Sequence, residues 1–262
     1  MCFHSTDPNL FYAAHGATIA RFDRRNVATA LGSISHNSDD ITQLDMHASG
    51  NFLAAADDSG AVQIVDLRTE TRLKTLNGHE NICSTFRFRP EAPSKGVSGG
   101  LDSTIVSWDA VKGKRLAKVS APDLPAPAET SESVPCPPAI NPPYAFDIAF
   151  TPDGTSFAAA LGSGAIHVLD CQSEGKLRHR SAIGAHMGSV ASVAYLREAS
   201  PMLVSGGVDG HLRLWSLSST PSLASSVAMG AKVNAVCVSS YSPRTVFVGS
   251  VRRGVDEVVV RG

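Results

Sequence analysis

The stretch Ser98-Gly-Gly-Leu-Asp-Ser-Thr-Ile-Val-Ser-Trp-Asp109 decides how the chain is read. It has a near copy in Ser205-Gly-Gly-Val-Asp-Gly-His-Leu-Arg-Leu-Trp-Ser216. Each has Ser, two Gly, one apolar residue, Asp, a turn, alternating residues and then Trp. Each follows a His that stands before an apolar strand, in NGHENICSTFRF and in GAHMGSVASVAYL. Weaker copies are AAHGATIARFDRR, AAADDSGAVQIVDLR and AAALGSGAIHVLDCQ, and a last one lies in VNAVCVSS through RTVFVGSVRRGVDEVVV.

The aspartate after the Trp position falls at Asp23, Asp66 and Asp109, two steps of 43 residues. The next is Asp170, one period plus an insertion. A period of roughly 40–45 residues, with Gly-His and Trp-Asp signatures among its units, specifies four-stranded blades of a β-propeller. The fold class is therefore all-β. Six units are visible within one domain, at about 1–36, 37–78, 79–120, 144–185, 186–230 and 231–262. Period-two alternation sets Ile105 and Ser107 against Val106 and Trp108.

Residues 119–143 interrupt the array with eight prolines and three acids. Proline removes ladder donors and fixes φ, so the Pro-rich insertion 121–143 is an extended surface excursion. It reads either as a tolerated loop or as a partner-binding segment that offers Thr130, Ser131 and Ser133 for phosphorylation.

Composition excludes several classes. The chain has 262 residues, 43% hydrophobic and 18% charged, with 23 Lys and Arg against 24 Asp and Glu. A net charge of −1 supplies no global field for nucleic acid, so a dedicated nucleic-acid partner is not expected. No apolar run is long enough for a membrane span, and the opening MCFHSTDPN has no signal-peptide pattern. Five scattered cysteines, Cys2, Cys83, Cys136, Cys171 and Cys237, form no CxxC pair, which fits a reducing compartment, cytoplasmic or nuclear. The nine histidines show no metal-ligand spacing, so neither metal nor cofactor is expected.

Two tetrads resemble chemistry: His79, Ser98, Asp102 and Trp108, and His186, Ser205, Asp209 and Trp215. His, Ser and Asp together can build a nucleophile. Duplication in two units argues instead for a buried hydrogen-bonded network that pins a loop to its blade. Arg252 and Arg253 read as solvated charges in a turn of the last unit.

With these residues in place, the chain resembles the WD40-repeat family. The resemblance implies a seven-bladed, non-enzymatic propeller that presents surfaces for proteins. The ordered runs LFYAAHGATI, FLAAADDSGAVQIVDL, NICSTFRFRP, SGGLDSTIVSWD and GHLRLWSL resemble one branch of that family more narrowly. That branch implies a substrate receptor of a cullin-4 ubiquitin ligase, docking on damaged-DNA-binding protein 1 through Trp-Asp-x-Arg at the end of a third strand. Asp66 and Arg68 match Asp and Arg of the motif, with Val65 in the Trp place. Asp23 and Arg25 match it one repeat earlier, with Phe22 in the Trp place. An exposed guanidinium can make bidentate contacts to a partner; equally, Asp can cap backbone amides and Arg can be plain surface. Asp58 is expected to supply the turn aspartate of its unit, in a turn one residue longer than that of Asp102. Since Val65 and Ala55 stand where a tetrad has Trp and Ser, no structural role is expected for Asp66-Leu67-Arg68. Relative to the family the chain is expected to lack an N-terminal blade, with an incomplete first strand and no outer strand in the last unit. The alternatives are a peptide or chromatin-mark reader, or an assembly scaffold unrelated to ubiquitin.

Overall fold

A computed structural model describes residues 1–92, 94–128, 141–197, 201–218, 220–239, 241–242, 244–252 and 254–260. The candidate phosphorylation sites Thr130, Ser131 and Ser133, with Cys136 and Arg253, lie outside the described residues. The chain forms two compact units, Met1–Val119 with Ser173–Lys176, and Ser120–Gln172 with Leu177–Gly262. Each holds three antiparallel sheets with the strand order of propeller blades.

In the first unit, blade 1 comprises β1 (Cys2–Phe3), β2 (Leu10–His15), β3 (Thr18–Asp23) and β4 (Gly32–Ile34). Blade 2 comprises β5 (Ile41–Met46), β6 (Phe52–Asp57), β7 (Ala61–Asp66) and β8 (Thr71–Asn77). Blade 3 comprises β9 (Cys83–Phe88), β10 (Lys95–Gly100), β11 (Thr104–Asp109) and β12 (Lys114–Ser120). In the second unit, blade 4 comprises β13 (Ala145–Phe150), β14 (Ser156–Leu161), β15 (Ala165–Cys171) and β16 (Leu177–Gly184). Blade 5 comprises β17 (Val190–Tyr195), β18 (Met202–Gly207), β19 (His211–Ser216) and β20 (Ser222–Ala228). Blade 6 has three strands among the described residues, β21 (Val233–Val238), β22 (Thr245–Ser250) and β23 (Val255–Val259). β1 pairs with β2 through two residues, Cys2 opposite Tyr12 and Phe3 opposite Phe11.

The expected alternation does not divide core from water. All six residues of β7 are buried. Val62 and Ile64 pack toward blade 3, in a cluster with Phe86, Val106 and Trp108. Val65, Leu53 and Ala55 pack toward blade 1, with Tyr12, Ile19 and Ile34. Blade 5 is treated alike: Leu203 and Trp215 pack with Ile166 and Val168 of blade 4, and Val204 and Leu214 with Val246 and Val248 of blade 6. Both faces of blades 2 and 5 are covered by neighbours, so period two there sorts side chains between two apolar interfaces.

The first strand of each blade leaves one backbone edge without a ladder partner, and buried N–H groups require acceptors. Side chains of the preceding blade supply them. Gln43 Oε1 on β5 accepts the Phe86 N–H at 2.9 Å and the Thr85 hydroxyl at 2.8 Å. Asp45 Oδ2 accepts the Phe88 N–H at 2.8 Å. Asp147 on β13 accepts the Ser192 hydroxyl at 2.8 Å and the Val193 N–H at 3.1 Å, and Ser192 Oγ accepts the Val236 N–H at 3.2 Å.

These acceptors are the fold's polar stitching, and Gln43→Leu tests their worth. The substitution keeps bulk and removes the acceptor for two buried donors. It should lower the unfolding free energy by about 1–3 kcal/mol, read as a shifted urea midpoint at unchanged slope. An unshifted midpoint would show that the edge of β9 does not depend on Gln43.

Candidate protein-interaction site

The tetrads are assembled as two nearly superposable networks. In blade 3, His79 Nε2 lies 2.7 Å from Ser98 Oγ and Nδ1 lies 3.0 Å from Asp102 Oδ1. Trp108 Nε1–H donates to the same Ser98 Oγ at 2.8 Å. Since Ser98 Oγ accepts from Trp108, its own proton is directed to His79 Nε2, which leaves the imidazole proton on Nδ1, facing Asp102. Asp102 also accepts the Thr104 hydroxyl at 2.7 Å and the Glu80 N–H at 3.2 Å. In blade 5 the corresponding distances are 2.8 Å for His186 to Ser205, 2.8 Å for His186 to Asp209 and 2.9 Å for Trp215 to Ser205. Arg213 Nη1 donates to Asp209 Oδ2 at 2.8 Å.

The connectivity Ser to His Nε2 and His Nδ1 to Asp is that of a nucleophilic triad. Access separates the two cases. Ser98 and Ser205 are fully buried, and each has an indole N–H on its oxygen, so no substrate atom can approach. Burial pushes the pKa of His79 and His186 down, more than their aspartates push it up. Burial would raise Asp102, yet the bonds from His79 and Thr104 prevail and hold it at about 2. The neutral imidazole beside an ionised carboxylate is a fixed polar crosslink.

The same packing accounts for the glycines of the motif. A Cβ at Gly100 would stand 2.6 Å from His79 Nδ1 and 2.8 Å from Asp102 Oδ1, and Gly207 is confined in the same way by His186 and Asp209. A Cβ at Gly78 would strike the Trp108 ring.

Blade 2 solves the same problem with other residues, and here the expectation for Asp58 is corrected. Its β6–β7 turn has the length of the β10–β11 turn, since Ala56 pairs with Val62 as Gly99 pairs with Ile105. Ser59 stands at the Asp102 position, and Asp57, fully buried at the position that Gly100 holds in blade 3, is the acid that bonds the turn. It accepts the Ser59 N–H and hydroxyl, the Ala61 N–H at 3.3 Å and the Asn37 amide at 2.8 Å. Asn37 spans from the blade entry to the turn, as His79 does in blade 3.

Asp66 and Arg68 form a closed clasp. Asp66 Oδ1 accepts both the Arg68 backbone N–H and Nε–H at 3.0 Å, and Oδ2 accepts Nη2–H at 2.6 Å. The Arg68 guanidinium lies 5.9 Å from the Phe52 ring centroid. Asp23 and Arg25 repeat the arrangement, with 2.9 Å from both the Arg25 N–H and Nε–H and 2.5 Å from Nη2. These bonds from Arg25 hold the Asp23 pKa down at about 2, and those from Arg68 lower that of Asp66. The expectation that Asp66-Leu67-Arg68 has no structural role is thus corrected: the pair closes its own turn. The guanidinium side chains remain 64% and 69% exposed, whereas Asp66 and Asp23 are 12% and 18% exposed.

Blade 4 carries an equivalent pair that local spacing does not reveal. Asp170 Oδ2 accepts from Arg178 Nη2 at 2.7 Å, and Arg180 Nη2 lies 2.6 Å from Oδ1 as an ion pair without hydrogen-bond alignment, both arginines coming from β16. Asp109 of blade 3 has the Lys112 N–H at 3.0 Å. Arg252 of the last blade donates to the Gly230 carbonyl at 2.9 Å. Among the described residues no group of three or more His, Cys, Asp or Glu side chains is placed to hold a metal ion, and no helix is long and apolar enough to cross a membrane.

The family model for the WD domain, G-beta repeat, matches residues 28–66 and 177–216, segments that end beside Asp66 and Trp215. The chain carries WD40 repeats. It is 26% identical over 223 residues to the WD repeat-containing protein 53 homolog of Dictyostelium discoideum, covering 79% of this chain and 60% of that protein. It is 23% identical over 237 residues to U3 small nucleolar RNA-associated protein 15 of Schizosaccharomyces pombe, covering 82% of this chain and 47% of that protein. The chain therefore spans about half the length of these relatives. A structure of the mitotic checkpoint complex contains a similar chain, with a TM-score of 0.80, 18% identity, and coverage of 98% of this chain and 73% of that one. This last likeness shows the propeller fold alone.

The tetrads predict an acid-sensitive fold. Unfolded imidazoles take up protons below about 6.5, which the buried His79 and His186 resist, so stability falls as pH drops from there. Asp102 acts in the same direction. Its folded value near 2 lies below the ordinary 3.8, so its contribution is complete above about 4 and is lost as pH falls toward 2. Urea midpoints measured against pH should show both losses, and Asp102→Asn should reduce the lower one without abolishing it, since Asp209 and Asp23 are also held low. Ser98→Ala should cost about 1–3 kcal/mol by leaving the Trp108 N–H and His79 Nε2 without a partner.

Proposed function

We propose that the protein is a non-enzymatic interaction scaffold, and more narrowly a substrate receptor that docks on damaged-DNA-binding protein 1 of a cullin-4 ubiquitin ligase. The observation that carries this reading is the Asp-x-Arg clasp repeated 43 residues apart on blades 1 and 2. Each clasp holds an exposed guanidinium in one orientation with N–H groups left over. An Arg so placed supplies planar, charge-assisted contacts to acidic or carbonyl-lined partners. The likeness to the WD repeat-containing protein 53 homolog supports the same reading. The seven-blade count of the family goes with this reading.

A second reading is an assembly scaffold for ribosome-forming complexes, which would place the protein in the nucleus. What favours it is that relatives include U3 small nucleolar RNA-associated protein 15 and a ribosome biogenesis protein YTM1 of Yarrowia lipolytica, the latter 27% identical over 168 residues. That reading needs no exposed Arg68.

Co-purification separates the two. Arg68→Ala should reduce recovery of damaged-DNA-binding protein 1 at least several-fold, and Arg68→Ala with Arg25→Ala should abolish it. Undiminished recovery with the double variant would overturn the docking role. Co-sedimentation with pre-ribosomal particles, unaffected by both substitutions, would favour the second reading.

A further inference from the structure

The outer strand of a blade has a free edge, and its row of unpaired N–H and C=O groups can pair with another chain. Four blades block this in recognisable ways. β4 is only three residues long. β8 carries Arg72 and Lys74, β12 carries Lys114, Arg115 and Lys118, and β16 carries Arg178, His179 and Arg180. A two-fold pairing of β8 about Lys74, or of β16 about His179, would set like charges opposite one another. β20 has seven residues, no charge and no proline. Its residues 224–228 are all exposed, and among the described residues no strand pairs with its outer side. β8, β16 and β20 share a bulge against the third strand of their blades, so on β20 the bulge is the one obstacle left. The bulge falls at Ala224, and residues 225–228 run in unbroken register with residues 214–211 of β19.

We propose that β20 pairs antiparallel with β20 of a second copy of this chain, with Val227 on the two-fold axis. The register opposes Val227 to Val227 and Ser226 to Ala228 in both directions, so it brings together no charge and no bulky pair that clashes. Val227 is the large apolar side chain exposed on this strand, at 43%. It lines an apolar groove of about 250 Å³ with Leu212, Leu214, Val246 and Val258. A two-fold axis normal to the sheet keeps both valines on the groove side. Their contact therefore continues the apolar interface of blades 5 and 6, to which Leu212, Leu214 and Val246 belong. The occupant is a second copy because an uncharged strand of small residues is its own complement, whereas β8, β12 and β16 repel theirs. The ladder is short, so the contact stays below the about 1,000 Å² of a strong interface, and the dimer is weak and concentration-dependent. The surface uses neither Arg25 nor Arg68, so it stands apart from the docking role proposed above.

The test is light scattering on the full chain from about 5 μM to about 0.5 mM, the range in which a small interface assembles. The average mass should climb from the 27.4 kDa of one chain toward twice that value. Val227→Lys and, separately, Ser226→Lys restore the edge charge of the other outer strands. Each should weaken association at least about tenfold at an unchanged melting temperature, since both side chains are exposed. Cysteines then check the register, in a Cys237→Ser background that removes an exposed thiol. Under mild oxidation Val227→Cys should form an intermolecular disulfide. Ser225→Cys should not, because the register sets the two Ser225 positions about 13 Å apart along the strands, beyond the reach of a disulfide. A mass that stays at one chain throughout, association undiminished by both lysines, or crosslinking through Ser225→Cys in place of Val227→Cys would each overturn the proposal.

Discussion

The constraint on which the architecture depends is the inner edge of each blade. A four-stranded sheet that stacks on its neighbours has two apolar faces and one first-strand edge whose N–H groups lie away from bulk water. Leaving such donors unpaired costs more than any single contact returns. The chain meets this requirement with side chains of the preceding blade: Gln43 and Asp45 for β9, Asp147 for β17, and Ser192 for the start of β21. Each bond spans 43 to 46 residues, about one repeat. The repeat length is therefore also the spacing of the polar stitching, and a blade that changed length between stitch and strand would lose it.

The tetrads serve the same end at another position. They bind the blade entry to the β-turn between the second and third strands. The hydrogen-bond order of a hydrolytic triad arises here because Ser, His and Asp form a self-consistent chain of donors and acceptors wherever they meet. Catalysis would require in addition a free lone pair and a path to it. The indole N–H of Trp108 or Trp215 occupies one lone pair of the serine oxygen, and burial closes the path to the other. Blade 2 shows that this crosslink is replaceable, since Asn37, Asp57 and Ser59 hold its turn without His or Trp.

The Trp-Asp periodicity, the Gly-His and Ser-Gly-Gly signatures and the positions of the strands were legible in the sequence because each obeys a local spacing. Local spacing points to Asp58 because the second of two adjacent acids stands closer in step to Val65, whereas the pairing of Ala56 with Val62 puts Ser59 at the Asp102 position and leaves Asp57 as the acid that bonds the turn. The pair of Asp170 with Arg178 and Arg180 was hidden for a different reason: the guanidinium comes from the next strand, so no short motif joins them. Gln43, Asp45 and Asp147 gave no signal as polar residues in otherwise apolar strands, since their partners are backbone atoms one repeat away. The alternation of Ile105, Ser107, Val106 and Trp108 was real, but its meaning as two buried faces depends on neighbours that a strand pattern does not contain.

The clasps sharpen what an exposed arginine means on this scaffold. A lone surface guanidinium must lose rotamer freedom when it binds, and that loss subtracts from affinity. Arg68 and Arg25 have already surrendered much of it to Asp66 and Asp23, in bonds that also hold the turn. The aspartate neutralises part of the charge, which lowers the long-range pull on an acidic partner, but it fixes the plane in which the remaining N–H groups point. The exchange favours specificity over encounter rate. In blade 4 the equivalent aspartate lies 2.7 Å from Arg178 and 2.6 Å from Arg180, both on β16, so there two cations share one carboxylate. One structural device, an aspartate at the end of the third strand, thus yields a one-to-one clasp or a two-arginine cluster according to which strand supplies the arginine.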